Sequence, residues 1–499
     1  MKYYISTPIY YVNDAPHIGH VYTTLAADVI ARFKRLDGAN VHFITGTDEH
    51  GQKVEKTGIA KGYDPLNYCD LVSQKFRDVA EVMGFSNDDF IRTSEPRHKD
   101  VVAQIWQKML ESGDIYLDKY AGWYSVRDEA FYDESEIKDG KAPTGAPVEW
   151  VEEPSYFFRL SKWQDKLLEL YETNPDFIMP QYRANEVIAF VKSGLRDLSV
   201  SRTSFSWGIK VPGDESHVIY VWLDALFNYY SAIQTPELKD FWSPDLQIVG
   251  KDILRFHAVY WPAFLMAVGL PLPKQIFAHG WWLVEGEKMS KSIGNVIDPF
   301  ALKEEFGLDY LRYYLIREMP FGNDHSYSRD LFISRINSEL CNNIGNLCQR
   351  VLSFVDKNAD AKVPQNQNLN QEDKAMLASA YGAISKMRAH IEKLALHLAF
   401  EEVVNLGRLA NEYIDRNAPW ALRKTDVHRM EAVLYSLLEV IRLIGISLLP
   451  LIPESAGKIL DTLNIHKDNR NFAHANPSGA LKAGDALKSP EIIFPRIGT

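Results

Sequence analysis

Two short stretches hold residues able to act on a phosphate. Pro16-His17-Ile18-Gly19-His20 sets two imidazoles three apart around a glycine, and Lys288-Met289-Ser290-Lys291-Ser292 sets two lysines three apart among small hydroxyl residues. Imidazole N–H groups can donate to phosphate oxygens as charge shifts onto them. A helix N-terminus adds unpaired amides and the positive end of a dipole, and Gly19 lets a base or ribose approach the backbone closely. Lysine is a point charge on a flexible stem, suited to stabilising charge on a departing pyrophosphate. Gly286 and Gly294 flank the lysines, as befits a loop that folds over a triphosphate. Taken singly, each stretch also reads as ordinary structure, a helix cap in one case and a solvated loop in the other.

The elements that must position these residues can be read from periodicity. Lys2 to Thr7 alternates as a strand does, and Pro8 to Pro16 is turn-rich. Val21, Leu25, Val29, Ile30 and Phe33 recur at helical spacing, Gly38 ends the run, and Val41 to Thr45 reads as a second strand. That βαβ unit predicts a parallel sheet, with further strands at Leu246–Val249 and Gln275–Ala278. Ligands bind open sheets of this kind at the carboxyl ends of strands, where both basic stretches fall. Between the halves, residues 116–215 are rich in Tyr, Trp, Glu and Pro and read as an insertion. After about residue 330 the pattern is helical. Phe400, Val403, Val404, Leu409, Tyr413 and Ile414 are expected on one buried face, Leu434, Leu437, Leu438, Ile441 and Ile444 on another, and 356–371 is expected to be a loop.

Bulk properties narrow the class. The chain has 499 residues, 46% hydrophobic and 24% charged, as in a soluble protein of several domains. The apolar run Leu434 to Ile452 is broken by Glu439 and Arg442 and reads as a buried helix; neither a membrane span nor a signal peptide is expected. Three cysteines, Cys69, Cys341 and Cys348, suit a reducing compartment, hence the cytoplasm. Cys341 and Cys348 are expected on one helix face as core residues, and without a CxxC pair no zinc is expected. The net charge is −11. It divides as −13 over residues 1–340 and +2 over 341–499, so the C-terminal part can approach a polyanion without strong repulsion.

The two basic stretches together, His17 and Lys288 being 271 positions apart, resemble the HIGH and KMSKS signatures of class I aminoacyl-tRNA synthetases, letter for letter. Closer still, TPIYYVNDAPHIGH, FITGTDEHGQK, YVWLDALFNYY, VGKDILRFHAVYWPAFL and HGWWLVEGEKMSKSIGNVIDP are similar to the methionyl-tRNA synthetase family over nearly the whole chain. The resemblance implies an α/β fold: a Rossmann-like parallel sheet split by an insertion, followed by an all-α helical bundle. It divides the chain into a catalytic domain in two halves (1–115 and 216–290), a connective insertion (116–215), a KMSKS loop and linking region (291–340) and an α-helical anticodon-binding domain (341–499).

The same resemblance implies the site residues. Ile9, Tyr11, Asp48, Trp222, Ala225, Tyr229, Ile253, Phe256 and His257 would bind methionine, with Asp48 on the ammonium. His17, Gly19, His20, Asp252, Lys288 and Lys291 would bind ATP, with both histidines and both lysines catalytic and Asp252 on the ribose. Asn346, Arg350 and Trp420 would read the anticodon. The aromatic residues make chemical sense, since sulfur–aromatic contact favours a thioether, and an exposed Trp can stack on an unpaired base. ATP with Mg2+, methionine and methionine tRNA are the implied partners. The four zinc-binding cysteines that many family members carry in the insertion are missing here, and the C-terminal domain by which some members bind tRNA and dimerise is not expected, so a monomer without zinc is expected. Other readings stay open on the residues alone: a HIGH/KMSKS synthetase for another small apolar amino acid, a nucleotidyltransferase, or a catalytically silent tRNA-binding paralogue.

Overall fold

A computed structural model describes residues 1–13, 15–128, 130–132, 134–284, 286–288 and 297–498, with the backbone alone at 120, 121, 131, 152, 153 and 288. The chain forms two compact units. One comprises Lys2–Ala27 and His42–His279; the other comprises Met1, Asp28–Val41 and Gly280–Thr499.

The first unit is built on a six-stranded sheet. Its strands are β1 (Lys2–Tyr11), β2 (Asn40–Asp48), β3 (Asp89–Arg92), β4 (Ile178–Met179), β5 (Leu246–Gly250) and β6 (Ile276–His279), in the order β3-β2-β1-β5-β6-β4. The pairs β2/β3, β1/β5, β5/β6 and β6/β4 are parallel. β1 runs through Pro8 to Tyr11, farther than the turn-rich composition suggests. Pro8 lies beyond Ile5 and Ser6, the residues in register with β5, where its missing N–H is least costly. The chain leaves β1 toward β2 on one side, and β5 with β6 extend the sheet on the other. The switch point, where open sheets bind ligands, therefore lies between β1 and β5. Helix α1 (Ile18–Leu36) follows β1, with Val21, Leu25, Val29, Ile30 and Phe33 buried as their spacing predicts and Lys34 and Arg35 closing its negative end. Gly38 then takes φ +87°, which a side chain would resist.

The stretch 116–215 supplies most of a four-stranded antiparallel sheet, centred on strands Ile115–Ser125 and Glu149–Phe158, and also β4 at the edge of the main sheet. Helix α2 (Val221–Leu226) returns the chain to the main core, where Leu223, Val259 and Phe264 pack with Tyr4, Ile44 and Val249.

The second unit is mainly helical: α3 (Leu308–Arg317), α4 (Asn346–Asn358), α5 (Gln371–Glu392), α6 (Leu396–Asn417), α7 (Pro419–Thr425), α8 (Val427–Leu448) and α9 (Pro453–Thr462). α8 is buried on all sides from Ala432 to Leu448. The two charges that interrupt its apolar run pair with each other: Arg442 donates to Glu439 at 2.5 and 2.9 Å, and Tyr381 and the Leu481 amide also donate to Glu439. Among the described residues no helix is long and apolar enough to cross a membrane. One side chain departs from the periodicity reading. Leu409 is 45% exposed, because the buried stripe of α6 runs through Phe400, Val403, Val404, Gly407, Ala410 and Ile414. Cys341 lies in a π-helical segment, Ile336–Gly345, continuous with α4, so its phase relative to Cys348 is not that of a regular α-helix. Both thiols are buried and free. Within this unit Asp28 accepts from Arg312 on α3 at 2.6 Å and from Arg32 at 2.8 Å, and Arg312 also donates to the Leu451 carbonyl at 2.7 Å.

Candidate active site

The loop from β1 into α1 holds both histidines of the HIGH stretch with their tautomers set by backbone amides. The Gly19 N–H donates to His17 Nδ1 and the His17 N–H to His20 Nδ1, each at 3.1 Å. A ring nitrogen that accepts from an amide carries no proton, so in each neutral imidazole the proton resides on Nε2. The rings lie 3.9 Å apart, centroid to centroid. Burial, and then the neighbouring His17, hold the pKa of His20 well below the usual histidine range. His20 therefore offers an N–H donor without positive charge. Gly19 has a reason inside the protein as well: a Cβ there would come within 2.9 Å of the His17 ring.

Next to this loop, the carboxyl ends of β2 and β5 bring up the other expected residues. Asp48 ends β2, is 2% exposed, and accepts the Val12 N–H at its backbone carbonyl. Asp252 follows β5, its carboxylate so close over Gly250 that a Cβ on Gly250 would lie 2.6 Å from Oδ1. The aromatic residues converge. Trp222 on α2 stacks flat on Phe256, with ring centroids 3.7 Å apart and planes 3° from parallel. Tyr11 meets Trp222 edge-on at 6.3 Å and His257 meets it at 6.1 Å. Ile9, Tyr11, Ile253 and Phe256 are partly buried against the same core, while Ala225 is buried. Phe256 and His257 sit in a π-helical turn, Phe256–Tyr260, whose extra residue re-aims the side chains.

The polar edge of this group is a fixed chain. His257 Nδ1 lies 3.0 Å from the Ile253 carbonyl, which can only accept, so Nδ1 bears the proton. Nε2 is then an acceptor, and the Tyr229 hydroxyl donates to it at 2.7 Å. Burial pushes the His257 pKa down to about 4 and the Tyr229 phenol up. Both are neutral at pH 7.

Sequence reasoning missed a buried polar cluster in the wall of this site. Asp224 on α2 accepts from His50 Nδ1 at 2.6 Å and from His98 Nε2 at 2.7 Å, and His98 Nδ1 meets Ser231 Oγ at 2.8 Å. The two imidazoles outweigh the cost of burying the carboxylate and hold its pKa down at about 2. Glu49, also buried, is clamped by Arg92 at 2.6 and 3.0 Å and by Ser94 at 2.5 Å. The signal available in the sequence was Asp224 itself, a carboxylate inside the apolar run YVWLDALF.

In the helical unit, strand Glu287–Lys288 pairs with Trp282–Val284, which itself pairs with His325–Tyr327. Lys288 thus ends a hairpin arm. Met289, Ser290, Lys291 and Ser292 lie outside the described residues, as does the side chain of Lys288. Farther along, Ala418 takes φ +40° between α6 and α7 and turns the chain sharply. The corner is fastened by Arg429, which donates to Asp373 and to Asn417, and by Tyr413, which also donates to Asp373. Trp420, just past the corner, is 46% exposed, and the Arg350 guanidinium lies 5.4 Å from its ring. Arg350 also pairs with Asp415 at 2.6 Å, and exposed Asn346 lies one turn earlier on α4. The cysteines do not fit a zinc site: Cys69, Cys341 and Cys348 lie in different elements and none is in 116–215.

Residues 3–146 and 140–352 match the family described as tRNA synthetases class I (M), and residues 363–499 match the anticodon binding domain of methionyl tRNA ligase. The methionine–tRNA ligase of Rickettsia felis is 59% identical over 502 residues, covering 99% of this chain and 98% of that protein. The methionine–tRNA ligase of Rhizobium meliloti is 54% identical over 504 residues, with coverage of 99% and 98%. A solved structure of Mycobacterium tuberculosis methionyl-tRNA synthetase in complex with methionyl-adenylate matches with a TM-score of 0.96 at 49% identity, covering 99% of this chain and 100% of that one. The apo form from the same organism matches with a TM-score of 0.91 at 46% identity, covering 100% and 98%.

Proposed function

The chain belongs to the class I tRNA synthetases for methionine, the methionine–tRNA ligases, and we propose that its own residues divide that reaction as follows. The methionine carboxylate attacks the α-phosphorus of ATP, giving methionyl-adenylate and pyrophosphate. The methionyl group then passes to the 2′-hydroxyl of the terminal adenosine of methionine tRNA. No covalent enzyme intermediate is required, so the protein acts by positioning and electrostatics.

Asp48 holds the ammonium as a charge-assisted pair. The side chain enters between Ile9, Tyr11, Trp222, Ala225, Tyr229, Ile253, Phe256 and His257. The proton of Tyr229 is already committed to His257, so the pocket asks no hydrogen bond of its occupant. That suits a thioether, a weak acceptor with affinity for aromatic rings, and penalises amides or carboxylates, which would be buried without partners. His17 and His20 turn their Nε2–H edges to the triphosphate beside Gly19, Asp252 meets the ribose, and Lys288 with Lys291 stabilises the leaving pyrophosphate. Mg2+ accompanies ATP, bound largely by the phosphates. Asn346, Arg350 and Trp420 read the anticodon. The enzyme works as a monomer in the cytoplasm, without zinc.

The observation that carries this reading is the ring of Tyr11, Trp222, Phe256, His257 and Tyr229 beside the paired histidines of the β1–α1 loop at the sheet's switch point. Pre-steady-state measurement of methionyl-adenylate formation tests it. Lys291→Ala should slow that step by roughly 10²–10³-fold, by analogy with loss of one donor to developing charge, with methionine affinity retained. An unchanged rate would remove the loop from the chemistry.

A further inference from the structure

The mechanism above leaves unused a buried carboxylate and two buried imidazoles in the wall of the amino-acid pocket. Asp224 is 0% exposed, His98 0% and His50 2%. As stability devices such clusters gain little, since well-packed apolar residues often do as well. What a bidentate carboxylate adds is direction, because each oxygen fixes one partner.

The partners are the elements that grip the substrate. His50, on Asp224 Oδ2, stands two residues after Asp48 in the loop that leaves β2. Asp224 itself stands between Trp222 and Ala225 on α2, with Ala225 next in sequence. His98, on Oδ1, passes the connection to Ser231, in the helical turn Asn228–Ser231 that carries Tyr229. Ser231 and Asn228 continue it, bonding to the Asn228 and Ala225 carbonyls at 3.2 and 2.6 Å. From the other side, Glu49 is clamped by Arg92 and Ser94, and Trp207 Nε1 donates to the Glu49 carbonyl while its ring meets His50 edge-on at 5.4 Å. The dipeptide Glu49-His50 is thus locked on both sides, directly after Asp48.

We propose that Asp224, acting through His50 and His98, is a positioning residue for methionine: it sets the distance between the ammonium-binding Asp48 and the side-chain pocket of Trp222, Ala225 and Tyr229. The proposal rests on reading Asp48 as the ammonium partner. It assigns the cluster to amino-acid binding and not to ATP, whose proposed residues lie on the β1–α1 loop, after β5 and at Lys288 and Lys291.

Methionine-dependent pyrophosphate exchange, with KM measured separately for methionine and ATP, tests this. Asn at 224 offers one acceptor and one donor, so one histidine loses its bond. Asp224→Asn should raise the methionine KM roughly 10–100-fold, the range for loss of a charged hydrogen bond, with the ATP KM within about threefold. At position 50 an Asn side chain places an N–H near that of Nδ1 and Leu does not. His50→Asn should therefore hold the methionine KM within about threefold of wild type while His50→Leu raises it as Asp224→Asn does. Equal rises in both KM values, or identical behaviour of the two His50 variants, would overturn the proposal. If Asp224→Asn does not fold, the His50 pair decides alone. Asp48→Asn run alongside separates the two ideas: a normal methionine KM there removes the ammonium reading, whereas a raised one beside a normal KM in Asp224→Asn removes only the positioning role.

Discussion

His257 joins the pocket's polarity to the protein's stability. Its Nδ1–H is given to the Ile253 carbonyl and its Nε2 takes the Tyr229 proton, so there is no place for a second proton, and burial lowers its pKa to about 4. An unfolded chain would protonate the same residue near pH 6.5. Between those values the unfolded state binds the extra proton, so stability is full above about pH 6.5 and falls as pH drops toward about 4. The loss attributable to this one residue reaches about 3 kcal/mol at the low end. His257→Gln, which cannot titrate, should be less stable than wild type at pH 7.5, and the gap should narrow on acidification. Urea unfolding at several pH values measures this, and a gap independent of pH would contradict it. Residues of this kind were partly legible beforehand. His17, Gly19 and His20 fall within four consecutive residues, and their motif is readable because backbone amides two or three positions away set the geometry. Asp224 was not, because His50 and His98 are 174 and 126 positions distant and no local spacing marks them.

At the scale of elements, the α6–α7 corner separates a structural role from a recognition role. Helix α6 stops because Ala418 is left-handed and Pro419 cannot continue it, which Asn417-Ala418-Pro419 announces in sequence. What holds the corner, though, is Arg429, Asp373, Asn417 and Tyr413, and Trp420 stays half-exposed next to Arg350. Trp420→Ala should therefore leave thermal stability and tRNA-independent pyrophosphate exchange near wild type. If the ring stacks on a base, tRNA charging should fall by roughly 5–150-fold, as expected for about 1–3 kcal/mol of stacking. Parallel loss of melting temperature and exchange would return Trp420 to the corner's structure. Periodicity served the helices well where burial is one-sided, as in α1. It erred at Leu409, where one apolar residue off the stripe was counted into it; Cys341 and Cys348 are both core residues as expected, though a π-helical segment intervenes.

Across the whole molecule, the unit that holds the helices is assembled from distant pieces of chain, and its charges differ in how much they matter. Arg312 and Asp28, 284 positions apart, are buried together. Arg388 and Asp37 pair at 2.6 Å with the arginine 38% exposed. Arg312→Ala leaves the buried Asp28 carboxylate with Arg32, at 2.8 Å, as its remaining cation and should cost about 1.5–3 kcal/mol, the loss of a hydrogen bond to a charged group; Arg388→Ala should cost about 0–1 kcal/mol. Equilibrium unfolding in urea distinguishes them, and equal losses would mean that the buried pair contributes no more than the exposed one. The parallel sheet and the helical C-terminal region were legible because hydrophobic period changes along the chain, whereas such long-range pairs leave no period to read. The central claim is that these elements build a site for methionine activation. The most direct test is pyrophosphate exchange into ATP, run separately with each of the common amino acids and without tRNA. Methionine should drive rapid exchange, with near-isosteres slower by about 10–200-fold, the discrimination an apolar pocket achieves. Faster exchange with leucine, isoleucine or any other amino acid, or none with methionine, would contradict the account.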